Sequence, residues 1–147
     1  MKMQKVYQCE LSELFPDADD KKPLPDGMDF VIRDLLYCLG VTEKHVGFPH
    51  TLYAVRLSIQ QPERLMLVTK WLYPDVAKQY HTSWQNVEKN IRTTVTIAWH
   101  FRPDILSFLA NRTLGHKPSN TEFISILVHY LKGPVSKTAI QPFAQIS

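Results

Sequence analysis

Amide and cationic side chains recur at intervals of three and four between residues 85 and 96. At about 100° per residue, this spacing places them on one face of a helix. Asn and Gln amides can bond adenine edges, and Lys and Arg can reach guanine or phosphate. Glu88, at the edge of this face, can accept from a cytosine amino group. The face predicts insertion into the major groove of double-stranded DNA; we name it the recognition strip, which consists of Gln85, Asn86, Glu88, Lys89, Arg92, Thr93 and Thr96.

Two consecutive helices are predicted to position this strip. Residues 75–80 form the first, residues 81–83 a tight connection, and Thr82 with Gln85 a capping box that starts the second helix, which ends near residue 99 or 100. Such a pair is a helix-turn-helix, although His81 occupies the turn, where Gly is common. The alternative is that the strip is an ordinary solvated helix face. The residues predicted to pack where the helices cross are Val76, Ala77, Tyr80, Trp84, Val87, Ile91, Val95 and Ala98.

The remaining chain has the spacing of further helices. Apolar residues follow Phe30 at steps of three and four up to Gly40, which suits the residue just after a helix. Further helical stretches are predicted at 51–60, 63–73 and 104–110, and Pro74 either kinks a helix or opens one. A capping box of Ser119 and Glu122 starts a last helix, which Gly133 stops. The predicted fold class is all-α, a six-helix bundle that contains a helix-turn-helix of the winged-helix-like, response-regulator effector type.

Four segments of the chain resemble a known family: residues 72–78 (LYPDVAK), 87–92 (VEKNIR), 97–99 (IAW) and 117–124 (KPSNTEFI). They are similar to the C-terminal DNA-binding effector domain of the sporulation stage-zero regulator A, the master response regulator of spore-forming bacteria. The resemblance covers about residues 29–132. It implies a six-helix domain whose helix-turn-helix binds promoter DNA, commonly as tandem copies.

The resemblance also implies roles for individual residues of the strip. By position, base contacts fall on Asn86, Glu88 and Lys89, while Gln85 and Arg92 lie near the DNA backbone. Glu88 keeps the family residue, whereas Asn86 and Lys89 stand where the family has Arg. Arg makes bidentate hydrogen bonds to guanine, whereas Asn prefers adenine. We therefore expect the preferred DNA sequence to differ from that of the family.

Basic residues also follow the predicted recognition helix. They are candidate phosphate contacts, because Lys and Arg on the DNA backbone supply most of the affinity of DNA-binding proteins. The alternative is ordinary surface charge. The candidates are Arg102, Arg112, His116 and Lys117, and the recognition strip with Arg112 and Lys117 is the predicted DNA-binding surface.

Charge and composition predict three parts. Residues 1–28 are an N-terminal arm and an acidic, proline-rich linker at 16–27, with four lysines and six acidic residues. Residues 29–132 are the helical DNA-binding domain and 133–147 a C-terminal tail, together holding thirteen basic and eight acidic residues. Members of the resembling family carry a phosphorylatable receiver domain ahead of the effector domain. Since 28 residues are too few for a receiver, we expect no phosphorylation control in cis.

Other classes of protein lack support in the sequence. Six His and two Cys fall at no metal-ligand spacing, and the chain has no nucleophile elbow, P-loop or dinucleotide fingerprint, so we expect neither an enzyme nor a metal or cofactor. No apolar run approaches the roughly 20 residues of a membrane span. We expect a cytoplasmic, nucleoid-associated transcription regulator that binds double-stranded DNA, with a homodimer, tandem copies and a regulatory protein partner as open alternatives. A second function class is a protein-interaction module or antagonist that keeps the fold without binding DNA.

Overall fold

A computed structural model describes residues 25–133, and this range is entirely helical. Six longer helices and one single-turn helix within this range confirm the predicted all-α fold. No β-strand occurs in residues 25–133, so this range contains no two-stranded wing. The arm at 1–24 and the tail at 134–147 lie outside the described residues. The elements are α1 (Pro25–Cys38), α2 (Gly47–Gln60), a 3-10 helix (Pro62–Met66), α3 (Val68–Trp71), α4 (Tyr73–Gln79), α5 (Trp84–Phe101), α6 (Pro103–Ala110) and α7 (Asn120–Leu131).

Several element boundaries differ from the sequence-based expectations. α1 begins at Pro25, so residues 25–27 of the predicted linker belong to a helix. α2 begins four residues earlier than predicted, at Gly47. The stretch at 63–73 is not one helix, because the backbone of Leu67 is not helical, at φ −151° and ψ 76°, and separates the 3-10 helix from α3. Pro74 lies in the first turn of α4, where the missing N–H of proline costs nothing.

Glycine ends the first helix as the sequence predicts. Gly40 has φ +90°, a conformation that residues with a Cβ rarely adopt. The N–H of Val41 donates to the Leu36 carbonyl and the N–H of Gly40 to the Tyr37 carbonyl, each at 2.9 Å. These two bonds form a Schellman motif, which satisfies carbonyls that the helix end would leave unpaired.

Replacing Gly40 by alanine is expected to lower the free energy of unfolding by about 1–2 kcal/mol, because a Cβ is strained in this left-handed backbone conformation. Urea denaturation followed by tryptophan fluorescence measures the change. Gly40→Asn is the matched variant, and its free energy of unfolding should fall by less than that of Gly40→Ala, since Asn tolerates the left-handed region. Equal midpoints for wild type and the alanine variant would contradict the expectation.

The core lies between α2, α5 and α7, with α1 and α4 packed around them. Gly47 brings α2 very close to α5: a Cβ at this position would stand 2.3 Å from the Asn90 carbonyl oxygen and 2.3 Å from Thr94 Oγ1. The inner side of α5 is therefore packed closely against α2 in the interior of the domain. The largest fully buried side chains include Ile32, Leu35, Leu36, Leu39, Leu72, Tyr73, Ile91, Leu106, Phe123, Ile124, Leu127 and Leu131.

Candidate nucleic-acid interface

Helices α4 and α5 form the predicted helix-turn-helix, joined by residues 80–83. His81 takes the positive φ of the turn, +52°, which is uncommon for a residue with a Cβ. The predicted cap, Thr82 with Gln85, is wrong by one residue, because Ser83 is the N-cap and its Oγ accepts from the Asn86 N–H at 3.2 Å. Thr82 instead accepts from the Asn86 side-chain amide at 3.0 Å.

The inner face of this unit matches most of the predicted packing set. Val76 and Ala77 of α4 are buried, as are four residues of α5. Tyr80 and Trp84 are the exceptions, with 37% and 38% of their surface exposed, because they flank the turn at the outer end of the unit. The ring of Tyr80 lies 5.2 Å from that of His50. The buried residues of α5 in the set are Val87, Ile91, Val95 and Ala98.

The opposite face of α5 is open to solvent along its length. Glu88 is intermediate in exposure, and every other member of the recognition strip is exposed. Lys89 makes no ion pair with any residue that the structure describes. Arg92 Nη2 donates to Glu88 Oε1 at 3.0 Å, one turn away. Since both side chains are at least one-third exposed, this pair contributes little to stability.

The chain before α7 adds a cation beside the strip. Lys117 Nζ donates to Thr96 Oγ1 at 3.0 Å, which joins the loop to the fourth turn of α5. Glu88, Arg92 and Lys117 line an open groove of about 350 Å³ together with the start of α7. The structure thus places Lys117 beside the strip.

Arg112, another predicted phosphate contact, lies apart from the strip. Its guanidinium donates to Glu122 at 2.9 Å, and this bond holds the pKa of the Glu122 carboxyl below its ordinary value. Arg112 lines a groove formed by α6 and α7, to which no residue of α5 contributes. Arg102 is likewise paired, with Asp104, while His116 is exposed. The structure does not bring Arg112 together with the strip.

Sequence reasoning missed the role of Asn120, the first residue of α7. Its Nδ2 donates to the Glu88 carbonyl of α5 at 3.0 Å and to the Tyr73 hydroxyl of α4 at 3.2 Å. Tyr73 is buried, which raises the pKa of its hydroxyl. The sequence offered one signal, an Asn inside the 117–124 motif. Helical periodicity carries no information on a polar bridge to Glu88 and Tyr73, which precede Asn120 by 32 and 47 positions.

Three of the four segments that carry the resemblance therefore meet in space, through Tyr73 of 72–78, Glu88 of 87–92 and Asn120 of 117–124. A family model described as "Sporulation initiation factor Spo0A C terminal" matches residues 32–131. The chain belongs to this family. The match begins within α1 and ends at the last residue of α7, so it includes the whole helix-turn-helix and the bridge. The Spo0A C-terminal domain is a DNA-binding effector domain, which makes this chain a DNA-binding regulator of the sporulation type.

Residues 25–133 contain neither a cluster of metal ligands nor a membrane-spanning helix. Within residues 25–133, no three His, Cys, Asp or Glu side chains come together as metal ligands. None of the helices in that range combines the length and the apolar character that a bilayer crossing requires.

Proposed function

We propose that this Spo0A C-terminal domain is a sequence-specific binder of double-stranded DNA that inserts α5 into the major groove and so regulates transcription. The observation that carries the proposal is the solvent-open recognition strip, displayed by a helix whose opposite face is buried. A rigid scaffold behind an exposed polar face is what base recognition needs. Because the described domain has its own core, we propose that binding requires no phosphorylated receiver in the same chain.

Three residues near the start of α5 are proposed to read bases: Asn86, Glu88 and Lys89. Base contacts concentrate at this end of a recognition helix, since it points into the groove. The Asn86 amide is already oriented by its bond to Thr82, which leaves its carbonyl oxygen and one N–H for an adenine edge. The proposed backbone contacts at the strip are Gln85, Arg92, Thr93 and Lys117. Arg112, which lies apart from the strip, is proposed to contact the DNA backbone beyond it, released from Glu122 on binding.

Selection of the full chain on a random duplex pool tests this proposal. We expect enrichment of a defined site, and two half-sites about 10 base pairs apart if copies bind in tandem. Repeating the selection with Asn86→Arg should change one position from adenine to guanine, because a bidentate contact discriminates by about 1–3 kcal/mol. Lys132→Ala is the control, because Lys132 lies one residue beyond the end of α7. This variant should select the same DNA sequence as wild type.

The proposal would be contradicted if selection enriched no DNA sequence from the pool at any salt concentration. A protein-interaction module or antagonist on the same fold would then be favoured. The observation that favours this function is three exposed apolar side chains in the stretch of chain between α2 and α4: Met66 at 77%, Leu67 at 44% and Trp71 at 46% exposure. Copurification of a protein partner, together with absent DNA binding, is the result that this second function predicts.

A further inference from the structure

The amide of Asn120 joins three helices at the base of the recognition strip. It belongs to α7, and its two N–H groups are directed to the Glu88 carbonyl of α5 and the Tyr73 hydroxyl of α4. Asn120 is itself partly buried, and Tyr73 is 2% exposed. Both halves of the helix-turn-helix are therefore attached, by one side chain, to a helix outside the unit.

The point of attachment on α5 is the backbone of a strip residue. A carbonyl oxygen has two lone pairs, so the Glu88 carbonyl can accept the Asn120 amide in addition to its helical partner. This bond lies within one turn of both Asn86 and Lys89. Apolar packing alone, as at Val87 and Ile91, is non-directional, whereas a hydrogen bond restricts both distance and angle. The bond therefore opposes rolling and sliding of α5 on the domain.

We propose that Asn120 is a positioning residue that sets the orientation of the recognition strip and thereby sharpens discrimination among DNA sequences without touching DNA. The inference rests on the proposed function. Base contacts are sensitive to displacements of about 0.5 Å or 10–20°, and phosphate contacts through long, mobile Lys and Arg side chains are less so. Loss of the bridge should therefore weaken binding to the selected site more than binding to unrelated DNA.

Asn120→Asp is the informative variant. The carboxylate has nearly the shape of the amide and can accept from the Tyr73 hydroxyl, but it cannot donate to the Glu88 carbonyl. An acidic residue in the first turn of α7 is favourable to the helix dipole, so the fold should persist. Thr121→Asp adds the same charge one residue later and keeps the bridge. Tyr73→Phe removes only the bond to α4.

The measurement is the affinity ratio between the selected duplex and a scrambled duplex at one salt concentration, for the full chain. The added negative charge weakens both affinities alike, so the ratio isolates base discrimination. We expect Asn120→Asp to lower the ratio about tenfold, the size of one weakened base contact. Thr121→Asp should leave the ratio unchanged, and Tyr73→Phe should lower it less than Asn120→Asp does.

An unchanged ratio in Asn120→Asp, or an equal fall in Thr121→Asp, would overturn the inference. Amide hydrogen exchange of the free proteins separates this outcome from failure of the proposed function. The inference requires faster exchange over residues 85–93 in Asn120→Asp than in Thr121→Asp, whether or not wild type discriminates among duplexes. Identical exchange in the two variants would show that Asn120 does not position α5. A wild type that binds every duplex equally would instead refute sequence-specific function, and exchange would then decide the role of Asn120.

Discussion

Gly47→Ala is expected to lower the free energy of unfolding by about 3 kcal/mol, the upper part of the usual range for an overpacked interior. The new Cβ would stand 2.3 Å from the Asn90 carbonyl oxygen, which belongs to helix backbone and cannot rotate away. Thr94 Oγ1, at the same distance, is held by its own bond to the Asn90 carbonyl. α2 and α5 must therefore separate, and the packing between them is lost.

Gly115→Ala is the matched control for this substitution. A Cβ at position 115 meets no atom within 4 Å, and its backbone has no positive φ. It should change the free energy of unfolding by less than about 0.5 kcal/mol, as surface substitutions usually do. Urea denaturation of both variants under one set of conditions gives the comparison. Equal unfolding midpoints for the two variants would show that α2 and α5 do not approach each other this closely at Gly47.

DNA affinity is expected to fall about 40-fold between 50 and 200 mM salt. Three cations at phosphates, Arg92, Arg112 and Lys117, would release about three counterions, which gives a log–log slope near −2.7. The double variant Arg92→Ala, Lys117→Ala should reduce the slope by about 2 and weaken binding to all duplexes alike. Fluorescence anisotropy titrations at several salt concentrations measure both quantities.

The charge control for this prediction is Lys132→Ala. It removes one cation at the far end of α7, about 18 Å along a twelve-residue helix from Asn120, and should leave the slope unchanged. The double variant should stay folded, because the Arg92–Glu88 pair and the Lys117–Thr96 bond are exposed and contribute little to stability. A slope that is the same in wild type and the double variant would remove Arg92 and Lys117 from the interface.

Helical periodicity in the sequence was sufficient to predict α5 and its two faces. Residues three and four apart share a face whatever the rest of the chain does, so burial of Val87 and Ile91 and exposure of Lys89 followed from the pattern. The caps at Ser119 and the turn at Gly40 were predictable for the same reason, since each depends on neighbours within a few residues. The cap of α5 was misplaced by one residue because Thr82 and Ser83 are both good caps and local chemistry cannot choose between them.

Tertiary structure alone decided which faces meet. Lys117 bonds to Thr96 across 21 positions of the sequence, and Asn120 bonds to Glu88 across 32 positions and to Tyr73 across 47. Gly47 packs directly against Asn90. Arg112, by contrast, joins Glu122 rather than the strip. The sequence by itself determined the helices, their apolar sides and the residue types offered to DNA. It could not determine these long-range pairings, because an apolar stripe specifies that a helix face is buried but not which other helix covers it.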